Sequence, residues 1–281
     1  MPMISYAQNA EDVLLRRVFP DKEDGFYVDV GANHPTLHSV TRHFSDRGWT
    51  GVNVEPVARV WEMLQAERPR DVNLSLAISD HEGMMTLHEP SDSLGMSTLD
   101  LDFAAGLKLH GYSYVERTVE VITLATLCER YVGDRTIDFL KIDVEGHELA
   151  VIQGADWSRW RPRVLVIEAT IQPELWEPIL LAADYLRAAF DGLNRYYLRL
   201  EDRRLLSKFR SPVNVLDDYV PFEHVLELES LRRERDEALA RLSRYEDLGT
   251  TSLTVARHLR RVARHVPIVP SVVRRMLPKV G

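Results

Sequence analysis

Short apolar runs of strand character alternate with helix-like segments through the first half of this chain. Repeated β-α-β units of that kind imply a mainly parallel sheet covered on both faces. The strand-like runs are residues 26–30, 51–55, 72–78, 84–88, 119–122, 137–144 and 163–168. Helix-like spacing covers residues 36–47, where Leu37, Val40 and Phe44 share a face, and residues 58–67, 146–153 and 174–190. Thr123 caps a further helix through Leu124, Leu127 and Tyr131. Residues 196–200, with Leu205 and Leu206, complete the sheet. Residues 90–113 carry weak periodicity and read as a substrate loop. Sheets of this architecture bind ligands beyond the carboxyl ends of their strands.

Charge divides the chain further. The net charge is −8, yet residues 249–281 hold seven Lys or Arg and no acid, so the rest is strongly acidic. An acidic body excludes a general nucleic-acid binder. A single cysteine, Cys128, excludes a disulfide framework and a cysteine-based zinc site, and suits a reducing cytoplasm. No apolar run reaches the ~18 residues of a membrane span, and the first residues carry acids where a secretory leader needs bases. Past Pro221, Leu228, Leu231, Ala238, Leu242 and Tyr245 follow heptad-like spacing, interrupted by Arg235, in a Glu/Arg-rich stretch. The expected organisation is a domain over residues 1–220, a charged helix or short coiled coil over 221–248, and a basic amphipathic tail over 249–281.

Three motifs carry chemistry. In Tyr27-Val28-Asp29-Val30-Gly31-Ala32-Asn33-His34-Pro35 a strand ends in a small-residue turn. Gly31 and Ala32 let a ligand approach the backbone, and Asp29 suits a cationic or hydroxylated group. The glycine fingerprint of dinucleotide binders and the lysine of a phosphate loop are both missing. Glu55, at the end of the next strand, stands where an acid accepts both hydroxyls of a ribose. Lys141-Ile142-Asp143-Val144-Glu145-Gly146-His147-Glu148 brings four ionisable groups to one strand end. Metal binding, acid/base work and polar substrate contacts all stay open there, with helix capping as the plain reading of Glu148.

Read together, these motifs resemble the FkbM family of S-adenosylmethionine-dependent methyltransferases. Residues 5–12, Ala77-Ile78-Ser79-Asp80, Gly95-Met96-Ser97-Thr98-Leu99 and residues 190–197 agree, so the resemblance spans residues 5–219. One departure is Pro35, where the family usually has glycine; proline suits the first turn of a following helix. The resemblance implies a class I, Rossmann-like, doubly wound and mainly parallel seven-stranded α/β sheet, here with a C-terminal helical extension. It places Asp29, Gly31 and Asn33 on the methionine and ribose side of the cofactor and Glu55 on the ribose hydroxyls. Ser79 and Asp80 fall near the adenine and Asp143 beside the sulfonium. Glu145 and His147 face the acceptor. His34 helps to close the site, and Ser97 and Asn194 are substrate-contact candidates.

The implied reaction is O-methylation of a sugar or glycan intermediate in polysaccharide biosynthesis. A sugar hydroxyl needs a base, and His147 is the first candidate because imidazole titrates near neutrality; Glu145 is the second. No metal is expected. Competing readings are a lipid or polyketide O-methyltransferase and a non-catalytic scaffold for glycan-assembly enzymes. Retention of Asp29, Glu55, Asp143 and Glu145 weighs against the scaffold. The expected setting is cytoplasmic, peripheral at the inner membrane face, with residues 221–281 meeting anionic lipid or a glycosyltransferase partner and the chain self-associating as a homo-oligomer.

Overall fold

A computed structural model describes residues 2–91 and 95–247. The chain divides into two compact units, residues 1–219 and 220–281. In the second, the described residues after Pro221 form one helix, Phe222–Asp247. The basic tail lies outside the described residues. Among the described residues no helix is long and apolar enough to cross a membrane.

The first unit is built on a seven-stranded sheet. Its strands are β2 (Phe26–Val30), β3 (Thr50–Val54), β4 (Val72–Leu74), β8 (Phe139–Ile142), β9 (Val164–Glu168), β10 (Tyr185–Phe190) and β11 (Asn194–Arg199), in the order β10-β11-β9-β8-β2-β3-β4. Only β11 runs against the others. A short β1 (Met3–Ser5) precedes them, and β5 (Ala77–Ser79), β6 (Gly83–Pro90) and β7 (Tyr114–Thr123) make a separate three-stranded sheet.

Parallel strands buried on both faces are largely apolar, and β2 is buried at all five positions, Asp29 included. Val28 and Val30 face a cluster completed by Leu124, Leu127, Val151, Ile152, Trp176 and Leu180. These come from α5 (Leu124–Leu127), α6 (Glu148–Gln153) and α7 (Pro173–Ala182). Tyr27 and Phe139 face the other side, against Leu14, Leu15 and Val18 of α1 (Glu11–Val18) and Phe44 of α2 (Arg42–Asp46). A third cluster joins Val60 of α3 (Ala58–Glu67) to Leu87 and Val121 of the smaller sheet. This architecture agrees with the expected α/β class and mainly parallel seven-stranded sheet.

Several local expectations are corrected. The helix over residues 36–47 shrinks to α2. His34 Nδ1 accepts the backbone N–H groups of Thr36 and Leu37, and the Arg68 guanidinium takes the Pro35 carbonyl. These bonds, with His38 at φ 57°, hold the chain out of the helix that Pro35 was expected to start. The run over residues 72–78 is two strands in two sheets, β4 beside β3 and β5 beside β7. A helix, α4 (Leu101–Leu109), occupies the supposed irregular loop; Asp100 caps it by accepting from Phe103 N–H. The helix over 174–190 stops at Ala182 because Asp184 turns the chain at φ 59°, and the remainder is β10. Leu205 and Leu206 lie in a 3-10 helix, Leu200–Phe209, rather than in the sheet.

Candidate functional site

The carboxyl ends of β2, β3 and β8 open into a cleft. Gly31, Asn33, Glu55, Ser97, Asp143, Glu145 and His147 all line it. The apolar part of its wall includes Val54, Val57, Val60, Ile78 and Leu87.

The turn after β2 depends on backbone freedom. Gly31 sits at φ 78°, and a Cβ there would lie 1.8 Å from the Asp143 carbonyl oxygen. Only glycine lets the two strand ends approach so closely. The Gly31 and Ala32 N–H groups both donate to the Val54 carbonyl, which ties this turn to the end of β3. One residue further, Glu55 turns back over the junction. Its Oε2 accepts the Asn33 N–H at 2.9 Å and its Oε1 accepts the Val57 N–H at 2.8 Å. Burial pushes its carboxyl up to about 7, against those two bonds. Each oxygen keeps further acceptor capacity for a ligand, since an ionised carboxylate offers about four lone-pair sites.

Lys141 organises the other side. It is 7% exposed, and its ammonium lies 3.4 Å from Asp29 and 3.2 Å from Asp143 while donating to the Gly31 carbonyl at 2.8 Å. Burial opposes its charge, but Asp143 and Asp29 hold its pKa above the ordinary value. Asp29 is buried, accepts from Thr41 Oγ1, and does not line the cleft. Its carboxyl is raised by burial and lowered by Lys141. Lys141 thus links Asp29 to Asp143, which does line the cleft.

Beyond β8 the acids crowd together. Oxygens of Asp143, Glu145 and Glu168 lie within 4.8 Å of one another. Burial, then Asp143 and Glu148, push Glu145 up to about 8. Glu168, the last residue of β9, is likewise raised by burial and by Asp143, and its Oε2 has no hydrogen-bond partner among the described residues. Three carboxylates so placed can hold a hard cation or face a cationic ligand. Glu148 serves the turn: its Oε1 accepts the N–H groups of Val144 and Gly146.

His147 stands at the N-terminus of α6, with Nε2 3.0 Å from Ser79 Oγ. Burial lowers its pKa. Ser79 and Asp80 do not line the cleft; Ser79 is buried behind His147, and Asp80 pairs with His81. His34 is spent on Thr36 and Leu37, and Asn194 donates to Glu11 Oε1, bracing the opening segment of the chain. Neither lines the cleft. The sequence reading gave Lys141 no role of its own and passed over Glu168. The strand-end rule that singled out Glu55 and Asp143 applies equally to Glu168, one strand along.

A family model described as the methyltransferase FkbM domain matches residues 29–197. That span starts at Asp29 in β2, ends at Tyr197 in β11, and contains every strand end described above. A search of curated proteins finds no match.

Proposed function

The chain belongs to the FkbM methyltransferase family, and on that premise we propose that it carries a methyl group from S-adenosylmethionine to a hydroxyl of a sugar or glycan intermediate in polysaccharide biosynthesis. The observation that supports this most is Glu55. Two backbone N–H groups fix its carboxylate at the end of β3, beside a turn that tolerates no Cβ. That arrangement suits a ribose, whose two hydroxyls both donate to one carboxylate. The three grouped carboxylates Asp143, Glu145 and Glu168, the first two of which line the cleft, suit a cation. The residues therefore fit a nucleoside carrying a sulfonium. When bound, that donor supplies an activated methyl group; alignment and a base are left to the protein.

Asp143 faces the positive end of the donor. His147 belongs on the adenine side, because its ring is held by Ser79. Glu145 is then the better base of the two candidates. Its carboxyl is raised to about 8, so its conjugate base is stronger than an ordinary carboxylate. It would take the proton of the acceptor hydroxyl as that oxygen bonds to the methyl carbon and the carbon–sulfur bond of the donor breaks, the electron pair leaving with the sulfur of S-adenosylhomocysteine. Ser97 borders the same cleft. We place the enzyme in the cytoplasm, with residues 221–281 reaching an anionic membrane surface or an acidic partner.

Thermal denaturation with S-adenosylhomocysteine tests the donor assignment. At a hundredfold excess over Kd a ligand contributes about 2.7 kcal/mol, which raises Tm measurably. NAD should give no shift. An absent shift with S-adenosylhomocysteine overturns the reading. Labelled S-adenosylmethionine offered with nucleotide sugars, lipid-linked sugars and glycan fragments then tests the acceptor; label appearing only in a lipid or polyketide alcohol would replace the sugar.

A further inference from the structure

At the end of the sheet away from the cleft, an open groove is lined by Arg16, Arg17, Arg47 and Lys208, together with Leu216 and Asp217. Its elements meet at the amino ends of the parallel strands. Arg16 and Arg17 are in the last turn of α1, which leads into β2; Arg47 precedes β3; Lys208 is in the 3-10 helix that follows the antiparallel β11.

Some of these bases are already engaged. Arg17 donates to both oxygens of Asp217 and to the Ser211 and Pro212 carbonyls, and Arg16 donates to the Asp217 carbonyl. Both also complement the carboxyl end of α1. Arg47 and Lys208 are exposed and have no hydrogen bond or ion pair with any described residue. From Arg203 to Leu216 the chain holds four bases and no acid, although the body as a whole is acidic. The positive field reaches inward: after burial, Arg47 and Arg16 help to push the nearby His43 down to about 4.

Beside the bases stand two adjacent aliphatic side chains, Val215 at 72% and Leu216 at 89% exposed. Single exposed apolar residues are ordinary. This pair, however, is presented by a braced turn. Asn214 Oδ1 accepts the Leu216 N–H at 3.0 Å, Asp217 Oδ2 accepts the Asn214 N–H at 2.8 Å, and Arg17 holds that same oxygen at 2.6 Å. The turn keeps Val215 and Leu216 in water next to unpaired cations.

We propose that this face docks on an anionic lipid bilayer, with its cations on headgroup phosphates and Val215 and Leu216 in the boundary between headgroups and acyl chains. A bilayer offers both layers at once. A nucleic acid or an acidic protein surface would take the cations and leave the aliphatic pair unused. The contact is separate from the basic tail and does not depend on the methyl-transfer reading. One weak membrane signal gives marginal, reversible attachment, and a second makes it stable. This face therefore orients the chain and adds to the hold of the tail, without sufficing alone.

The test uses the full chain carrying Leu216→Cys labelled with the environment-sensitive dye NBD; the native Cys128 is buried and escapes the label. With phosphatidylglycerol vesicles the emission should shift to the blue and be quenched by lipids spin-labelled on the acyl chain. With phosphatidylcholine vesicles it should not change. The same dye on Glu174→Cys, exposed on the cleft side at the start of α7, should stay in water. Arg47→Glu combined with Lys208→Glu should raise the phosphatidylglycerol concentration for half-binding of the full chain at least tenfold, and Leu216→Asp should raise it too. All three residues are exposed, so Tm should hold in each variant. A chain that sediments with its Leu216→Cys dye still in water would show that the tail alone makes contact, and overturns the proposal. So do equal shifts at both dye positions, undiminished affinity in the charge-reversed chain, or no binding to phosphatidylglycerol at all. A dye shift with soluble poly-glutamate and none with vesicles would assign the face to an acidic protein instead.

Discussion

Glu55 and Glu145 are both buried carboxyls with raised pKa values, and their surroundings give them different work. Glu55 is fixed by two N–H groups and has a binding geometry. Glu145, at φ 54° on a tight turn, is surrounded by other acids and has a proton to exchange. Glu55→Ala should therefore raise KM for S-adenosylmethionine by more than tenfold with kcat little changed, since a charge-assisted hydrogen bond contributes about 1.5–3 kcal/mol. An unchanged KM would place Glu55 outside the donor site. Glu145→Gln should lower kcat by about 10²–10⁴, the usual effect of a lost base, while sparing S-adenosylhomocysteine affinity. The sign of the pH dependence follows from the raised carboxyl. Below about 8 Glu145 is protonated and cannot accept a proton, so kcat/KM should climb with pH and level off above that value. Glu145→Gln should flatten the climb. If His147→Ala flattens it instead and Glu145→Gln does not, the histidine is the base.

At the scale of elements, the site is made by strand ends meeting: β2 with Gly31, β3 with Glu55, β8 with Asp143 and β9 with Glu168. The first three were legible because continuous apolar runs stop at an acid or a glycine, and such runs have little choice but a buried parallel sheet. Less was legible where side chains override local preference. Pro35 and the apolar spacing of Leu37, Val40 and Phe44 suggested a helix; His34 and Arg68 take the backbone groups that the helix would have used. The run over 72–78 showed burial without showing that it divides between two sheets. Glu168 and Lys141 gain meaning only from neighbours on other strands. The crowding of acids bears on metal use. Lys141 already stands between Asp29 and Asp143, supplying the positive charge a cation would bring, and the remaining negative charge suits a cationic donor. Activity should therefore survive dialysis against EDTA. Loss of turnover restored by Mg²⁺ or Mn²⁺ would show that Asp143, Glu145 and Glu168 ligate a metal.

For the whole molecule, the uneven charge is the feature that the catalytic fold leaves unexplained. The seven bases of residues 249–281 carry no acid among them. On helical spacing Val255, Leu259, Val262 and Val266 make an apolar stripe, with Arg257, Arg260, Arg261 and Arg264 largely opposite. Basic amphipathic segments of this pattern lie in the interface of anionic membranes. Each base near such a surface contributes about 1 kcal/mol, so the set suffices for reversible binding that salt would screen. A membrane-bound tail would keep the enzyme beside lipid-linked sugars, and acceptors presented there would be methylated faster than free ones. The full chain should sediment with phosphatidylglycerol vesicles at low salt, stay in solution with phosphatidylcholine vesicles, and be released by salt. A chain ending at Leu248 should remain in the supernatant and methylate a soluble acceptor as fast as the full chain does. Equal sedimentation of the two chains would rule the tail out as an anchor. Sedimentation of neither would direct its positive charge to an acidic protein surface, the chain's own acidic body included.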